Sequence, residues 1–269
     1  MNYWTEGKEN IWVAAHRGSS ATHPENTMEA FAEAVKAGAD QLETDVRITK
    51  DGELVLIHDA TLERTTNGVG DVKDYTLSEI KALDAGSYMG AEFAGCKVPT
   101  LIEFMDYVAQ FDTLTLDIEL KEYPEVVGEE IAFSVCDRVM EIIDRYGYTD
   151  RVVINTFSAG LHEYIFKKYG KKYRQHVYFP LDRLKGEVTI DPYSYGYCCC
   201  MFNVKGHPVK IADKEHFDTM AARGVEPWAG AFVKDEETVQ LAIDRGAYLI
   251  TCNNPAEVLS ILRAKGFHK

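Results

Sequence analysis

The chain has 269 residues, 46% hydrophobic and 27% charged, with 29 Lys and Arg against 43 Asp and Glu, a formal net charge of −14. This composition excludes a disordered chain, and the length suits one barrel-sized domain of roughly 250 residues or two small ones. The acidic excess argues against nucleic acid or an anionic membrane surface as a partner, although a few local cations could still hold an anionic substrate.

In chain order, short β-branched apolar runs alternate with longer amphipathic stretches. Ile11–Ala15 reads as a strand and Glu25–Ala37 as a helix, with Gly38 just past its end. Gln41–Ile48 and Glu53–His58 read as strands joined by Thr49-Lys50-Asp51-Gly52, a link too tight for a helical crossover, so an antiparallel hairpin is expected. Residues 59–99 are polar and glycine-containing, with one helix signal at Leu77–Leu83, and read as an inserted subdomain over one end of the core. Alternation then resumes: helix Leu101–Gln110, strand Thr113–Leu120, helix Val126–Tyr146, strand Arg151–Thr156, helix Ala159–Tyr169, strand Gln175–Phe179. Strand Tyr197–Phe202, helix Ala212–Arg223, strand Glu226–Ala231, helix Glu236–Arg245, strand Tyr248–Thr251 and helix Pro255–Lys265 complete it.

Repeated strand–helix units imply a parallel sheet with right-handed crossovers. The expected fold is α/β, a TIM-type (β/α)8 barrel over residues 1–269 as a single catalytic domain. Nine candidate strands are present where a closed barrel needs eight, so one is a short extra or edge piece. A doubly wound open sheet is the alternative, but no GxGxxG follows the first strand. The longest uncharged stretch of note, Pro192–Val204, has 13 residues, against ~20 for a membrane span. The first residues, MNYWTEGKEN, are polar, so no secretory leader is expected. Cys96, Cys136, Cys198, Cys199, Cys200 and Cys252 include no CxxC pair, and read as reduced, buried thiols of a cytoplasmic protein.

Chemistry-bearing residues fall at strand C-terminal ends, which a barrel brings to one mouth. His16-Arg17 ends the first strand, and Glu43 and Asp45 lie two apart on the second, facing the same way. His58-Asp59 ends the third, and Glu119 and Lys121 lie two apart at the end of the fourth. A two-residue turn centred on Lys50-Asp51 would set His58 across from Glu43. Each feature alone has a bland reading as a structural histidine or a surface ion pair. Inward charges in a helix-covered barrel, however, need partners or a metal. Glu43, Asp45 and Glu119 make a hard oxygen site suited to one divalent cation, Ca²⁺ or Mg²⁺. His16 and His58 suit general acid and base roles, and Arg17 and Lys121 supply charge for a phosphate. The set describes phosphoryl-ester chemistry.

The segments AHRG (Ala15–Gly18), PENT (Pro24–Thr27), LETDV (Leu42–Val46), TKDG (Thr49–Gly52) and VLIHD (Val55–Asp59) occur in order. TTNG (Thr65–Gly68), VPTL (Val98–Leu101) and IELK (Ile118–Lys121) follow. In this order and spacing the chain resembles the glycerophosphodiester phosphodiesterases, which are related to the phosphatidylinositol-specific phospholipases C. The resemblance implies a barrel with a small insert after the third strand, and hydrolysis of a glycerophosphodiester to sn-glycerol 3-phosphate and an alcohol. It implies His16 and His58 as the acid–base pair, Glu43, Asp45 and Glu119 as metal ligands, and Arg17 and Lys121 as phosphate contacts. The mechanism it implies has the glycerol 2-hydroxyl attack phosphorus, after which water opens the cyclic phosphate; which histidine begins as base is left open.

The second half departs from the family pattern. A Trp-Thr-Val-Asn segment is replaced by Trp228-Ala229-Gly230-Ala231, and a terminal Thr-Asp by Thr251-Cys252. Phe157 and Trp228 are candidate apolar walls of the substrate pocket, with a core role the alternative for each. Tyr193, Tyr195 and Tyr197 read as stacked aromatics at a strand edge, or as a lipid-chain contact. The expected partner is a small-molecule glycerophosphodiester, with no nucleic acid and no membrane span, and monomer or homo-oligomer undecided. A lysophospholipase D-type activity on lipid and a non-catalytic metabolite-binding barrel are the competing readings.

Overall fold

The computed structural model describes residues 10–269; the N-terminal stretch read above as lacking a leader lies, apart from Asn10, outside them. The elements run β1 (Trp12–His16), α1 (Met28–Ala37), β2 (Gln41–Ile48), β3 (Leu54–Leu56), α2 (Leu77–Ala82), α3 (Leu101–Val108) and β4 (Thr115–Leu120). Next come α4 (Pro124–Val127), α5 (Glu129–Tyr146), β5 (Val152–Asn155), α6 (Ala159–Tyr169) and β6 (Arg174–Phe179). The chain ends with β7 (Cys198–Met201), α7 (Lys214–Ala222), β8 (Glu226–Ala229), α8 (Glu236–Arg245), β9 (Leu249–Cys252) and α9 (Pro255–Ala264).

Eight strands close into a parallel ring in the order β1-β9-β8-β7-β6-β5-β4-β2, and a β1–β2 pairing seals it. The ninth strand is β3, which lies outside the ring and pairs with β2 alone. It runs antiparallel to β2 over three residue pairs, Val46↔Leu56, Arg47↔Val55 and Ile48↔Leu54. The connection is not the expected two-residue turn. Thr49 N donates to Glu53 O at 2.9 Å, and Gly52 takes the left-handed conformation with φ 87°. A glycine at that position favours a three-residue loop, which shifts the register by one. His58 would then align with Thr44 rather than Glu43, and the ladder ends before reaching it.

Local chemistry explains the other boundary shifts. Helix α1 starts at Met28, not Glu25, because Thr27 is its N-cap and its hydroxyl accepts from Ala30 N. The stretch from Val126 splits in two at Gly128, whose φ of 86° no helix can continue. Tyr193 lies in a 3₁₀ turn and Tyr195 stacks on Phe166 at 4.7 Å, so these tyrosines pack outside the ring ahead of β7 rather than along a strand edge. All six cysteines are buried and none is bridged. No helix among the described residues is long and apolar enough to cross a membrane.

Strand alternation divides the core. Outward residues such as Leu42, Val46, Leu116 and Ile118 pack against the helices, in one of two large apolar clusters. Ala14, Val153, Cys198, Trp228 and Leu249 fill the ring from inside and plug its floor. Between β3 and α3, a smaller cluster of Val55, Ile57, Leu62, Val72, Ile80, Ala85 and Val98 gathers the connecting segment.

Candidate active site

A cavity of about 280 Å³ opens at the C-terminal ends of the strands, and His16, Arg17, Glu43, His58, Glu119 and Lys121 line it. Sheet register sets the charged residues side by side. His16 pairs with Glu43 across β1–β2, and Asp45 pairs with Glu119 across β2–β4. Glu43, Asp45 and Glu119 each offer a carboxylate oxygen, and these atoms lie within 4.8 Å of one another.

Two of the acids are pushed in opposite directions by their surroundings. Burial opposes ionisation of Asp45, but Lys121 Nζ at 3.0 Å and Arg17 Nε at 3.1 Å outweigh it and hold the carboxyl well below the usual range. Glu43 has the opposite fate: burial, reinforced by the Asp45 charge, raises it well above the ordinary carboxylate value. Glu119 Oε1 meets Lys121 Nζ at 2.5 Å and accepts from Tyr123 Oη at 3.1 Å. Asp45 Oδ1 is buried without a hydrogen-bond partner, facing only the Lys121 charge at 3.0 Å. A buried carboxylate oxygen without a donor, among three hard oxygen ligands, fits a Ca²⁺ or Mg²⁺ ion.

Each imidazole has its own anchor. His16 Nδ1 lies 2.7 Å from Asn253 Oδ1, and Nε2 lies 4.0 Å from Glu43 Oε2. Burial, aided by the Arg17 charge, pushes His16 down to about 4. His58 reaches the cavity from the loop after β3, where Arg47 Nε holds its carbonyl at 2.9 Å. Its Nδ1 lies 2.6 Å from Asp59 Oδ1, and Arg64 clamps the other Asp59 oxygen at 2.5 Å. Arg64, followed by the hydrogen bond from His58, holds Asp59 at about 2. Arg64 also binds Glu25, which binds Arg17 at 2.9 Å, so one chain of ion pairs joins His58 to the cationic side of the cavity.

The local backbone explains two short motifs. Arg17 (φ 58°) and Asn26 (φ 56°) are the only non-glycine residues with positive φ among those described. Asn26 uses that conformation to donate to Asp45 Oδ2 at 2.8 Å while accepting from Thr44 Oγ1 at 2.8 Å. Gly18 (φ 78°) packs so closely on α1 that a Cβ would sit 2.6 Å from the Ala30 carbonyl carbon. Gly18→Ala is therefore expected to destabilise the protein by about 2–5 kcal/mol through strain and backbone overlap. Thermal unfolding checks this; a midpoint within a degree of the parent would show that the α1 contact yields freely.

Phe157 lines the cavity and stacks on Tyr178 at 3.9 Å. Trp228 does not line it. Only 1% exposed, the indole lies in the floor cluster, 4.9 Å from the His176 ring, so it supports the cavity from below instead of walling it. Asn26, Glu25, Arg64 and Asn253 hold the site together, as do Asp117 and His176 deeper in the ring, and none stands out from sequence by residue type alone.

Residues 16–179 match the model of the Glycerophosphoryl diester phosphodiesterase family. The chain belongs to that family. A relative named glycerophosphodiester phosphodiesterase, from Caldanaerobacter subterraneus subsp. tengcongensis, is 36% identical over 247 residues, covering 87% of this chain and 98% of its own. Among solved structures of similar fold, an Oleispira antarctica phosphodiesterase in complex with the product sn-glycerol-3-phosphate superposes with a TM-score of 0.78 at 24% identity, over 94% of this chain and 97% of that one. A glycerophosphodiester phosphodiesterase from Agrobacterium tumefaciens gives 0.72 at 24% identity, over 95% and 99%. The span matched to the phosphodiesterase family begins at His16 and ends in β6, so it holds the carboxylate cluster and the three lining histidines, His16, His58 and His176.

Proposed function

We propose that the protein hydrolyses glycerophosphodiesters to sn-glycerol 3-phosphate and an alcohol, using one divalent cation and two histidines. The observation that carries this reading is the gathering of three carboxylates within 4.8 Å, two of them lining the cavity with His16, His58, Arg17 and Lys121 and the third, Asp45, buried behind it. The relative's printed name and the product held by the Oleispira protein agree with it. The cavity volume of about 280 Å³ is at the small end for ligand sites and favours a compact polar diester over a lipid.

Glu43, Asp45 and Glu119 would hold the cation, which when bound would supply Lewis acidity at the phosphoryl centre. Arg17 and Lys121 balance the charge of the phosphodiester. His16, neutral near pH 7 and oriented through Nδ1 by Asn253, takes the proton of the glycerol 2-hydroxyl as that oxygen bonds to phosphorus. His58, oriented by Asp59, gives a proton to the departing alcohol oxygen as its bond to phosphorus breaks. Water then opens the cyclic phosphate with the two roles exchanged. We read residues 59–99 as an insert within a single barrel domain over 1–269; its Arg64 orients Asp59, and its Tyr88 hydroxyl accepts from Glu25 N at 3.0 Å. The unbridged buried thiols suit a reducing compartment, and we place the protein in the cytoplasm.

The test is release of sn-glycerol 3-phosphate from diesters carrying choline, ethanolamine, glycerol and inositol, with Ca²⁺ or Mg²⁺ supplied. Release from at least one is expected. Silence across the panel from folded, cation-loaded protein would refute the reading, and release of a phosphorylated lipid from lysophospholipids instead would move the activity to a membrane substrate.

A further inference from the structure

One buried pair in the cavity has no part in the chemistry above. Asp117 precedes Glu119 by two on β4 and so faces inward with it, one level deeper. His176 faces inward from β6, 59 residues away in sequence, and its Nδ1 lies 2.7 Å from Asp117 Oδ2. The two side chains are 5% (His176) and 1% (Asp117) exposed, and both residues line the cavity.

A carboxylate can only accept, so Nδ1 carries a hydrogen, and in the neutral ring Nε2 then presents its lone pair. Tyr178, stacked at 5.4 Å, and Trp228, tilted at 4.9 Å, fix the ring in place. Nε2 of His176 and Oδ1 of Asp117 are both buried, and neither has a hydrogen-bond partner. The adjacent Tyr178 hydroxyl does not serve them, because it donates to Asn155 Oδ1 at 2.5 Å. Two acceptors fixed at the inner end of a substrate cavity call for a ligand that brings hydrogen. Phosphodiester oxygens carry none, and neither does a quaternary ammonium. A hydroxyl does, and every glycerophosphodiester has one to spare, because the 2-hydroxyl reacts while the terminal hydroxyl does not.

We propose that the Asp117–His176 pair receives the terminal hydroxyl of the glycerol moiety, and thereby selects substrates that carry it. The inference rests on the proposed activity and adds a specificity determinant to it. The step is recognition alone; no bond is made or broken.

The test compares glycerophosphoethanolamine with its propane-1,2-diol counterpart, which keeps the reacting hydroxyl and replaces only the terminal one by hydrogen. The wild type is expected to favour the glycerol diester by about 10–100-fold in kcat/KM, the cost of leaving a buried acceptor unserved. In His176→Leu the ratio is expected to fall below about 3-fold. A binding measurement keeps the proposal testable should that variant fail to fold. In the Ca²⁺-loaded wild type, the His176 Nε2 resonance is expected to shift with sn-glycerol 3-phosphate and to stay in place with propane-1,2-diol phosphate. Equal rates with both diesters, or equal shifts with both phosphates, would overturn the hydroxyl site and leave the proposed activity standing. A His176-dependent preference for ethanolamine over choline diesters, with no preference for the terminal hydroxyl, would assign the pair to the alcohol and overturn it too. No turnover of either diester would sink the activity itself, and this inference with it.

Discussion

His16→Ala and His58→Ala are each expected to lower kcat by roughly 10²–10⁴-fold while leaving the barrel folded. The two imidazoles enter the cavity from different elements and hang on different partners, Asn253 for His16 and the Asp59–Arg64 pair for His58. Neither belongs to an apolar cluster, so loss of either leaves packing intact. The roles can be separated by the leaving group. A nitrophenyl ester departs without a proton, so His58→Ala should lose far less on glycerophosphonitrophenol than on glycerophosphoethanolamine, whereas His16→Ala should suffer equally on both. Rates at saturating substrate decide this, with circular dichroism confirming the fold. A loss under tenfold on both substrates would show that the substituted histidine is no essential acid or base.

Removing the cation is expected to cut turnover at least 10²-fold, since such an ion contributes several kcal/mol at a phosphoryl centre. The ion pairs make the effect pH-dependent in a direction that can be worked out. Glu43 is raised well above its ordinary value by burial and by Asp45, so in the cation-free protein it keeps its proton at a pH where an unfolded chain has lost it. Its contribution to folding is therefore lost as pH rises from about 4.3 through the raised value. A cation displaces the Glu43 proton, so affinity should climb with pH over that window, and the gain in unfolding temperature on adding Ca²⁺ should be larger at its upper end than at its lower end. Asp45, depressed and already ionised, releases none. Calorimetry in two buffers of different ionisation heat would count the protons. Full activity in excess chelator would remove the cation from the site, and cation binding within that window with no proton released would remove Glu43 from its ligands.

Much of the barrel was legible because each strand carries its own period. Glu43 with Asp45, and Glu119 with Lys121, sit two apart, and parallel pairing turned that spacing into one cluster, with Asp45 buried behind the cavity wall that the other three form. The hairpin shows the limit of such reasoning. Asp51-Gly52 announces a turn, but the left-handed Gly52 lengthens it by one residue, and that single residue reverses the face on which His58 would fall. His58 arrives instead through loop contacts that no periodicity encodes, above all the Arg47 bond to its carbonyl. Asp117 carried a usable signal, since it continues the inward series of Glu119 and Lys121 by two. His176 did not, because its partner lies two strands away and only closure of the ring brings them together. Trp228 illustrates the opposite case: large aromatics suit cavity walls and floors alike, and the four-residue strand β8 places this one in the floor.

The ring is also divided in its labour. The acid cluster, His16, His58 and the fixed cations come from β1 to β4 and their loops. The opposite arc, from β5 to β9, contributes His176, Asn155 and Thr251 together with a mostly apolar wall that includes Phe157, Phe202 and Gly230, and none of the acid cluster. At Gly230 a Cβ would stand 3.1 Å from both Cys200 Sγ and the Phe232 ring, close enough to narrow the space and not to break the fold. On the proposed roles, most of the apolar substrate wall and the acid cluster thus lie on different arcs of the ring. Successive substitutions in the later arc could retune which alcohol is accepted while the earlier arc continues to perform the same reaction, and that separability gives a barrel of this kind room to diversify.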